Sequence, residues 1–276
     1  MDVFARCFLL VFAQLYVGGL LALSIPPFHE IERGFYKSTT AVYFGAGFLA
    51  FAGRLALILR PQPGAAPDAQ VVELCLWALS LIGGAVYLRS LWGEHYRLRA
   101  RAYVTAWMGG LAALVVGAQS FRLGPSLSVE TILYPLNFIV SALVLGSVSA
   151  GMLLGHWYLI DRGLSIDPFR RMFRFFAVML VVQASLLVVN SSLLGLLGAA
   201  ASATELARLF HEHRLLLATR VLLCPIAAGG LAWMIRKTLQ IPQTMAATGL
   251  FYIAILSVLV GEMMSRFILF RTSLPL

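Results

Sequence analysis

Long apolar stretches, separated by short polar segments, recur along the whole chain. A helix of about 20 apolar residues is long enough to cross the hydrocarbon core of a bilayer. By that criterion the pattern predicts eight membrane-spanning helices, with polar breaks such as "IPPFHEIERG", "RPQPGAAPDAQ", "WGEHYRLRAR" and "ATELARLFHEHR" between them. The predicted helices cover residues 3–25, 40–60, 71–89, 101–121, 131–159, 172–199, 215–235 and 244–270.

None of the polar segments is long enough to form a soluble domain, and no internal repeat is evident. The first apolar stretch is long enough to span and ends in "ALSIPPF", which is not a small-residue cleavage site, so we expect it to be retained. The sequence therefore predicts an all-α fold, a polytopic transmembrane bundle with short loops. Residues 1–276 form its single integral-membrane domain.

Composition agrees with the hydropathy pattern. The chain is 60% hydrophobic and 12% charged, whereas soluble domains are about half apolar and about a quarter charged. The formal net charge is +9, but the basic residues lie mostly between apolar stretches and form no run that would follow nucleic-acid phosphates. The three cysteines are far apart and form neither a CxxC pair nor a disulfide framework. We expect small core residues there, no intrinsic iron–sulfur cluster and no nucleic-acid partner.

The distribution of Lys and Arg predicts the orientation. The loops after the first, third, fifth and seventh helices hold twelve basic residues, Arg162 among them, and the opposite side holds nine. Three of those nine, Arg54, Arg220 and Arg266, lie within apolar stretches, which leaves six. Because cytoplasmic loops carry the excess of positive charge, both termini are expected outside, in the periplasm of a bacterial inner membrane.

Two opposite charges interrupt the last apolar stretch, "SVLVGEMMSRFILF". Glu262 and Arg266 are four residues apart, which places them one turn apart on the same helix face. Unpaired charge at membrane depth is costly, so such residues face the bundle interior and pair. In the simplest interpretation, this pair neutralises itself and fastens the last helix to its neighbours.

The predicted orientation places further polar residues in the outer half of the bundle. They are Gln14, Arg54, Tyr134, Asn137, Asn190 and Arg220. A quinone ring needs hydrogen-bond donors at its carbonyls, a group that handles its protons, and an apolar groove. In a quinone site Glu262 would pass the proton and Arg54 would donate to a carbonyl, with Arg266, Gln14, Asn190 and Arg220 around them. Ordinary packing polarity between helices is the alternative.

The histidines leave a haem open as a second interpretation. A b-type haem needs one or two axial imidazoles, and His156 is the histidine nearest to being embedded, with His95 or His29 as its partner. An interfacial group of His156, Trp157 and Tyr158 is the simpler alternative. His211 and His213 form an HxH near a helix start, where solvated histidines are more common than ligands, and no metal site is expected.

The two ends of the chain resemble a known family. "VFAQLYVGGLLAL" (residues 11–23) and "VLVGEMMSRFILF" (residues 258–270) are similar to the first and last helices of the membrane-anchor subunit of dimethyl sulfoxide reductase-type molybdoenzymes. The matching positions are Phe12, Gln14, Gly18, Gly19, Gly261, Glu262, Arg266 and Phe270. Ser265 stands where that family has a second glycine, and no histidine follows the second helix.

The resemblance implies an eight-helix subunit that oxidises menaquinol in anaerobic respiration and carries no haem or cluster. It also implies two partners, an iron–sulfur electron-transfer subunit and a molybdopterin catalytic subunit. The leading hypothesis is therefore a membrane anchor that binds quinone or quinol near the outer face and exchanges electrons with the iron–sulfur partner. A haem-b membrane cytochrome and a small-solute carrier are the alternatives.

Overall fold

The computed structural model describes residues 3–59, 67–125, 127–161 and 163–276, and all regular structure in these ranges is helical. The helices are α1 (Val3–Ala22), α2 (Arg33–Ile58), α3 (Pro67–Ser90), α4 (Tyr96–Gln119), α5 (Glu130–Ile160), α6 (Asp167–Leu197), α7 (Ala200–Glu212), α8 (Arg214–Val221), α9 (Ala228–Gln240) and α10 (Thr244–Thr272). A π-helical segment, Leu222–Ala227, joins α8 to α9. Arg162 and most of the predicted loop "RPQPGAAPDAQ" lie outside the described residues.

The prediction of eight membrane spans is confirmed. Within the described ranges, eight helical stretches are long and apolar enough to cross a bilayer: α1 to α6, the continuous run from α8 through α9, and α10. The chain is an all-α, multi-pass integral membrane protein. An even number of spans returns the chain to its starting side, and the ring of Phe4 lies 6.2 Å from that of Phe267. We name the end of the bundle where α2, α4, α6 and α10 finish the outer end, following the predicted orientation.

Several helices begin earlier than predicted. The second, fourth and sixth begin at Arg33, Tyr96 and Asp167, whereas hydropathy placed their starts at 40, 101 and 172. Hydropathy detects only the part that crosses hydrocarbon, and each of these helices continues through basic residues toward the inner surface. One of those residues, Arg99, belongs to the predicted polar break "WGEHYRLRAR" but lies in α4 and is buried.

The predicted outer loop "ATELARLFHEHR" is wrong, because most of it is helix α7. One face of α7 buries Ser202, Leu206 and Leu209. The other face carries Arg208, whose Nη1 lies 3.7 Å from Glu205 and whose Nε lies 2.8 Å from Glu212. The helix is amphipathic and too short to span, so it packs on the outer end of the bundle.

Helix α5 is the centre of the bundle. In its most apolar window 78% of the residues are buried inside the protein, against 22–50% in the other spans. Helix α1 crosses it at very close range, since a Cβ added at Gly18 would lie 1.6 Å from the carbonyl oxygen of Ala142. A Cβ added at Gly146 would lie 2.0 Å from the carbonyl carbon of Gly18. Small residues allow such backbone contacts in membrane bundles.

The last four residues fold back into the outer end of the bundle. Ser273 takes a left-handed conformation (φ 59°) that ends α10, and Leu274 and Leu276 are buried. The Pro275 carbonyl accepts hydrogen bonds from Asn137 Nδ2 at 3.0 Å and Asn190 Nδ2 at 2.8 Å. This tail, residues 273–276, thereby ties α5 and α6 to α10.

Candidate functional site

Three charged residues form a fully buried cluster between α8 and α10. Glu262 Oε1 lies 3.0 Å from Arg220 Nη2, and Glu262 Oε2 lies 3.2 Å from Arg266 Nη2. At most 2% of any of these side chains is exposed. We refer to Arg220, Glu262 and Arg266 as the charged triad. The predicted pair of Glu262 and Arg266 is therefore present, and Arg220 joins it.

Neutral polar side chains complete the triad. Gln183 of α6 donates to Glu262 Oε1, and its own Oε1 accepts from Cys224 Sγ at 3.1 Å. Ser141 of α5 accepts from Arg266 Nη2 at 2.6 Å. Sequence reasoning missed Gln183, Ser141 and Cys224. A glutamine inside the apolar run "LVVQASLL" is the one signal that could have indicated its role.

The charged triad has a net charge of +1, because its two arginines face one glutamate. It contains two guanidinium groups and one carboxylate, and the Nε and Nη1 atoms of both arginines are buried without a hydrogen-bond acceptor among the described residues. The Phe138 ring centre lies 5.0 Å from Arg266 Cζ, and an aromatic face attracts a cation. Phe138 therefore offsets part of the excess charge.

The π-helical segment lies directly beside the triad. Pro225 has no backbone N–H and disturbs the regular pattern of helix hydrogen bonds, and Ser257 Oγ of α10 donates to the Leu223 carbonyl inside the segment at 2.7 Å. A Cβ added at Gly261 would lie 2.8 Å from Cys224 Cβ. Gly261 thus lets α10 approach the widened turn that carries Cys224, and π segments occur often at functional sites.

Arg54 does not belong to the triad. Its Nη2 lies 2.7 Å from Glu73 Oε2 of α3, with the Arg54 side chain 35% and the Glu73 side chain 10% exposed. Both line a pocket in the outer half, which contains about 590 Å³ of empty space with its open side included. The other walls include apolar residues of α1 and α4 and five aromatic side chains, Phe51, Trp77, Phe121, Phe138 and Phe270. We refer to this cavity as the outer pocket.

Two hydrogen-bond donors at the outer pocket have no acceptor among the described residues. The Nε atoms of Arg54 and Arg6, both of which line it, are buried without an acceptor. A Cβ added at Gly117 would lie 3.2 Å from Glu73 Oε1, so this glycine leaves space for the carboxylate. Phe138 lines the pocket and also contacts Arg266, which makes its ring the wall between the pocket and the triad.

The remaining predicted residues hold helices together around these two features. Gln14 Nε2 donates to the Phe138 carbonyl at 3.0 Å. Asn137 Oδ1 accepts from Arg266 Nη2 at 3.4 Å, and Asn190 binds the tail. The outer-half residues are thus divided between a sealed triad and an open pocket. Glu262 does not line that pocket, and its predicted role in proton transfer stays a prediction.

The histidines considered as haem ligands lie at the inner end. His156 is exposed on α5, with its Nδ1 3.2 Å from Tyr252 OH, and His95 is exposed just before α4. Haem ligation by His156 stays a prediction, and a Soret band that disappears in His156→Ala would test it. In the part of the chain that the structure describes, no three His, Cys, Asp or Glu residues group to hold a metal ion. Cys7 and Cys224 are buried as predicted, whereas Cys75 is exposed.

No protein-family model matches the chain. The curated proteins likewise contain no significant match to it. The resemblance at the two ends of the chain therefore rests on the residues quoted for it. In the structure Gly18, Gly19 and Gly261 from that set each lie against another helix, because an added Cβ would meet Ala142, Tyr43 and Cys224.

Proposed function

We propose that this protein is a quinone-binding membrane subunit of a multisubunit oxidoreductase and that the quinone ring binds in the outer pocket. The observation that supports this most is the combination found there. Aromatic walls surround an arginine–glutamate pair and two buried N–H donors that have no acceptor. Ligand sites are mostly apolar with a few convergent polar groups, which is what a quinone head group requires.

Each charged residue of the pocket has a part in the proposed reaction. The Nε groups of Arg54 and Arg6 donate to the ring oxygens and hold the ring in place. Oxidation of a quinol releases two electrons and two protons. Glu73 accepts the protons in turn and releases them at the outer end, while the electrons pass to an iron–sulfur cluster of a partner subunit.

The charged triad contributes to this proposal through its electric field. Its excess positive charge lies behind Phe138, in a low-dielectric interior where charges act strongly. A positive field on that side stabilises the electron-rich oxygens of a ring that is losing protons. Glu262 sets the size of that charge, and Gln14, Asn137 and Asn190 position the helices that carry the wall.

The partner belongs to the same proposal. The similarity of α1 and α10 to anchor subunits of dimethyl sulfoxide reductase-type enzymes supports an iron–sulfur subunit, and behind it a molybdopterin subunit, as the destination of the electrons. Affinity purification of the chain from its native membranes in mild detergent, followed by identification of the co-purifying proteins, tests this part. Recovery of the chain without an iron–sulfur protein would contradict it.

Quinone binding can be measured directly, because Trp77 is 5% exposed and lines the outer pocket. The purified protein in detergent would be titrated with 2,3-dimethyl-1,4-naphthoquinone while tryptophan fluorescence is recorded. We expect saturable quenching that is lost in Trp77→Phe. Quenching that rises without saturation, or that persists in Trp77→Phe, would show that the ring does not bind there.

Charge-neutralising variants test the polar contacts. Arg54→Gln should weaken binding of the naphthoquinone about tenfold or more, since a hydrogen bond from a charged donor contributes roughly 1.5–3 kcal/mol. Arg271→Gln is the matched control, because it removes an exposed arginine at the same end of the bundle. Equal affinities of the two variants would contradict the role of Arg54.

One observation favours a second function, that of a carrier for small anions. The unpaired N–H groups of Arg220 and Arg266 offer an oxyanion more donors than Glu262 can occupy, and irregular helices mark the substrate sites of many carriers. Proteoliposomes that contain this chain alone would then take up radiolabelled acetate or sulfate. Uptake equal to that of protein-free liposomes would contradict this function.

A further inference from the structure

A second pocket opens at the inner end of the bundle, at the far side from the outer pocket. It lies between the α1–α2 connection, the end of α3 and the start of α4, and contains about 710 Å³ of empty space with its open side included. Five aromatic residues and one arginine dominate its walls: Phe28, Tyr36, Tyr87, Tyr96, Tyr103 and Arg99. We refer to it as the inner pocket.

Arg99 is buried in this pocket without a counter-charge. It is only 6% exposed, and no carboxylate of the described residues lies within ion-pair distance of it. Its Nη2 donates to the Ser90 carbonyl at 3.1 Å and the Gly93 carbonyl at 2.7 Å. Its Nε and Nη1 atoms are buried and have no acceptor. A buried, unpaired charge is unfavourable, so these N–H groups point to a missing anionic group.

The neighbouring side chains hold the guanidinium in place and do not neutralise it. The ring centres of Phe28 and Tyr96 lie 5.1 Å and 5.3 Å from Arg99 Cζ. The hydroxyls of Tyr36 and Tyr103 donate to the carbonyls of Pro26 and Leu20. These two hydroxyls are therefore occupied, and the buried N–H groups of the pocket without an acceptor among the described residues belong to Arg99.

Positive charge also predominates around the mouth. Besides Arg99 itself, the stretches 23–37 and 89–103 contain five Lys and Arg residues against three acids, Glu30, Glu32 and Glu94. Arg33 lies beside a wall residue of the pocket, with its Nη2 3.4 Å from Tyr96 OH. An anion that approaches this end of the bundle is therefore attracted before it reaches Arg99.

The mouth lies at the level of lipid headgroups. Phe28, Trp92 and Tyr96 are 37%, 57% and 60% exposed beside it, and exposed aromatic side chains at the end of a membrane helix mark the membrane–water boundary. A group that enters the inner pocket at this depth has one end in water and the other in hydrocarbon, as a phospholipid does.

We propose that the inner pocket binds the phosphate group of an anionic phospholipid, with Arg99 Nε and Nη1 as its donors. Arginine is well suited to phosphate because it stays charged and presents several N–H groups in fixed geometry. A free phosphate ion offers the same acceptors, and the two sources can be separated by experiment. The site does not depend on the proposed quinone site, which lies at the opposite end of the bundle.

Native mass spectrometry of the delipidated, detergent-purified protein tests the proposal. The protein would be titrated with dioleoyl phosphatidylglycerol, with dioleoyl phosphatidylcholine, and with inorganic phosphate. We expect one phosphatidylglycerol to bind at least tenfold more tightly than phosphatidylcholine. Saturable binding of inorganic phosphate with no preference between the lipids would identify a free anion as the ligand of Arg99. Equal binding of both lipids without phosphate binding would overturn the site.

Three variants localise the bound lipid. Arg99→Gln should reduce the affinity for phosphatidylglycerol at least tenfold, whereas Arg97→Gln, which removes an exposed charge of the same helix, should change it less than twofold. Ala100→Trp fills the pocket from an exposed position and leaves Arg99 intact. It should abolish the preference for phosphatidylglycerol over phosphatidylcholine. This variant tests the site even if Arg99→Gln does not fold. Unchanged lipid preference in Ala100→Trp would overturn the proposal.

Discussion

At the scale of residues, Glu262 is the single counter-charge, among the residues that the structure describes, of two buried arginines. Its removal would leave Arg220 and Arg266 in the bundle interior with no carboxylate. Breaking a buried ion pair by removing one partner costs about 3–5 kcal/mol.

We therefore expect Glu262→Gln to lower the free energy of unfolding by about 3–5 kcal/mol, measured by chemical unfolding in detergent micelles. Glu212→Gln is the matched control, since Glu212 is exposed on α7 and pairs with Arg208 near water. An unfolding free energy equal to that of the control would show that the triad does not stabilise the bundle.

Sequence reasoning could predict the pair of Glu262 and Arg266, because a helix places residues four apart on one face. It could also place Arg220 at the same depth. It could not separate Arg54 from them, since the rotation of each helix about its axis depends on packing. Gln183 and Ser141 were missed because neutral polar residues in apolar helices carry no charge that has to be paired.

At the scale of elements, the crossing of α1 and α5 depends on glycine. Gly18→Ala would place a Cβ 1.6 Å from the backbone carbonyl oxygen of Ala142. Because both clashing groups belong to helix backbones, the clash can be relieved only if α1 and α5 move apart. Gly230→Ala adds the same methyl group to α9, where nothing lies within 4 Å.

We expect Gly18→Ala to lower the thermal midpoint of the purified protein strongly and Gly230→Ala to leave it unchanged or slightly raised. A higher thermal midpoint in Gly230→Ala would follow from the better helix propensity of alanine than of glycine, about 1 kcal/mol in soluble helices. Equal midpoints would mean that α1 and α5 are not in backbone contact.

Glu130 fastens α7 to the bundle. Its carboxylate accepts from the backbone N–H groups of Gly124 at 2.7 Å and Ala199 at 3.2 Å and from Ser202 Oγ at 2.5 Å. It thus links the α4–α5 connection to the start of α7.

Glu130→Gln replaces one of the accepting oxygens with a donor, so the turn before α7 should open more often. Limited proteolysis should then cleave near Gly198 several times faster than in the wild type. Glu205→Gln changes an acid of α7 itself and should leave the cleavage rate unchanged. The same rate in both variants would show that Glu130 does not hold α7 down.

The number of spanning helices could be predicted because length and hydropathy decide it. Helix α7 could not be predicted in this way, since its buried residues Leu206 and Leu209 are too few to form a long apolar stretch. The helix starts were placed too late for a related reason, as the extension of α4 through Arg99 shows. Backbone hydrogen bonds continue into the headgroup region, where hydropathy has already fallen.

At the scale of the whole molecule, the orientation is a prediction from the basic residues. In a variant without native cysteines, Thr204→Cys on α7 should react with a membrane-impermeant maleimide in intact spheroplasts. Arg97→Cys, at the opposite end, should react only after permeabilisation. Both positions are exposed in the structure, so the reverse pattern would invert the assignment of the outer and inner ends.

The contact of α1 with α5 also has a consequence for biosynthesis. Gln14 and Phe138, which join these helices, are 124 residues apart in the chain. At roughly 5–20 residues per second of synthesis, α5 emerges some 6–25 s after its partner. During that interval Gln14 and Gly18 lack α5, the helix they contact in the finished bundle. Nascent α1 therefore has to wait beside the insertion machinery, and a factor that shields polar transmembrane segments should crosslink to Gln14 before α5 is made and not afterwards.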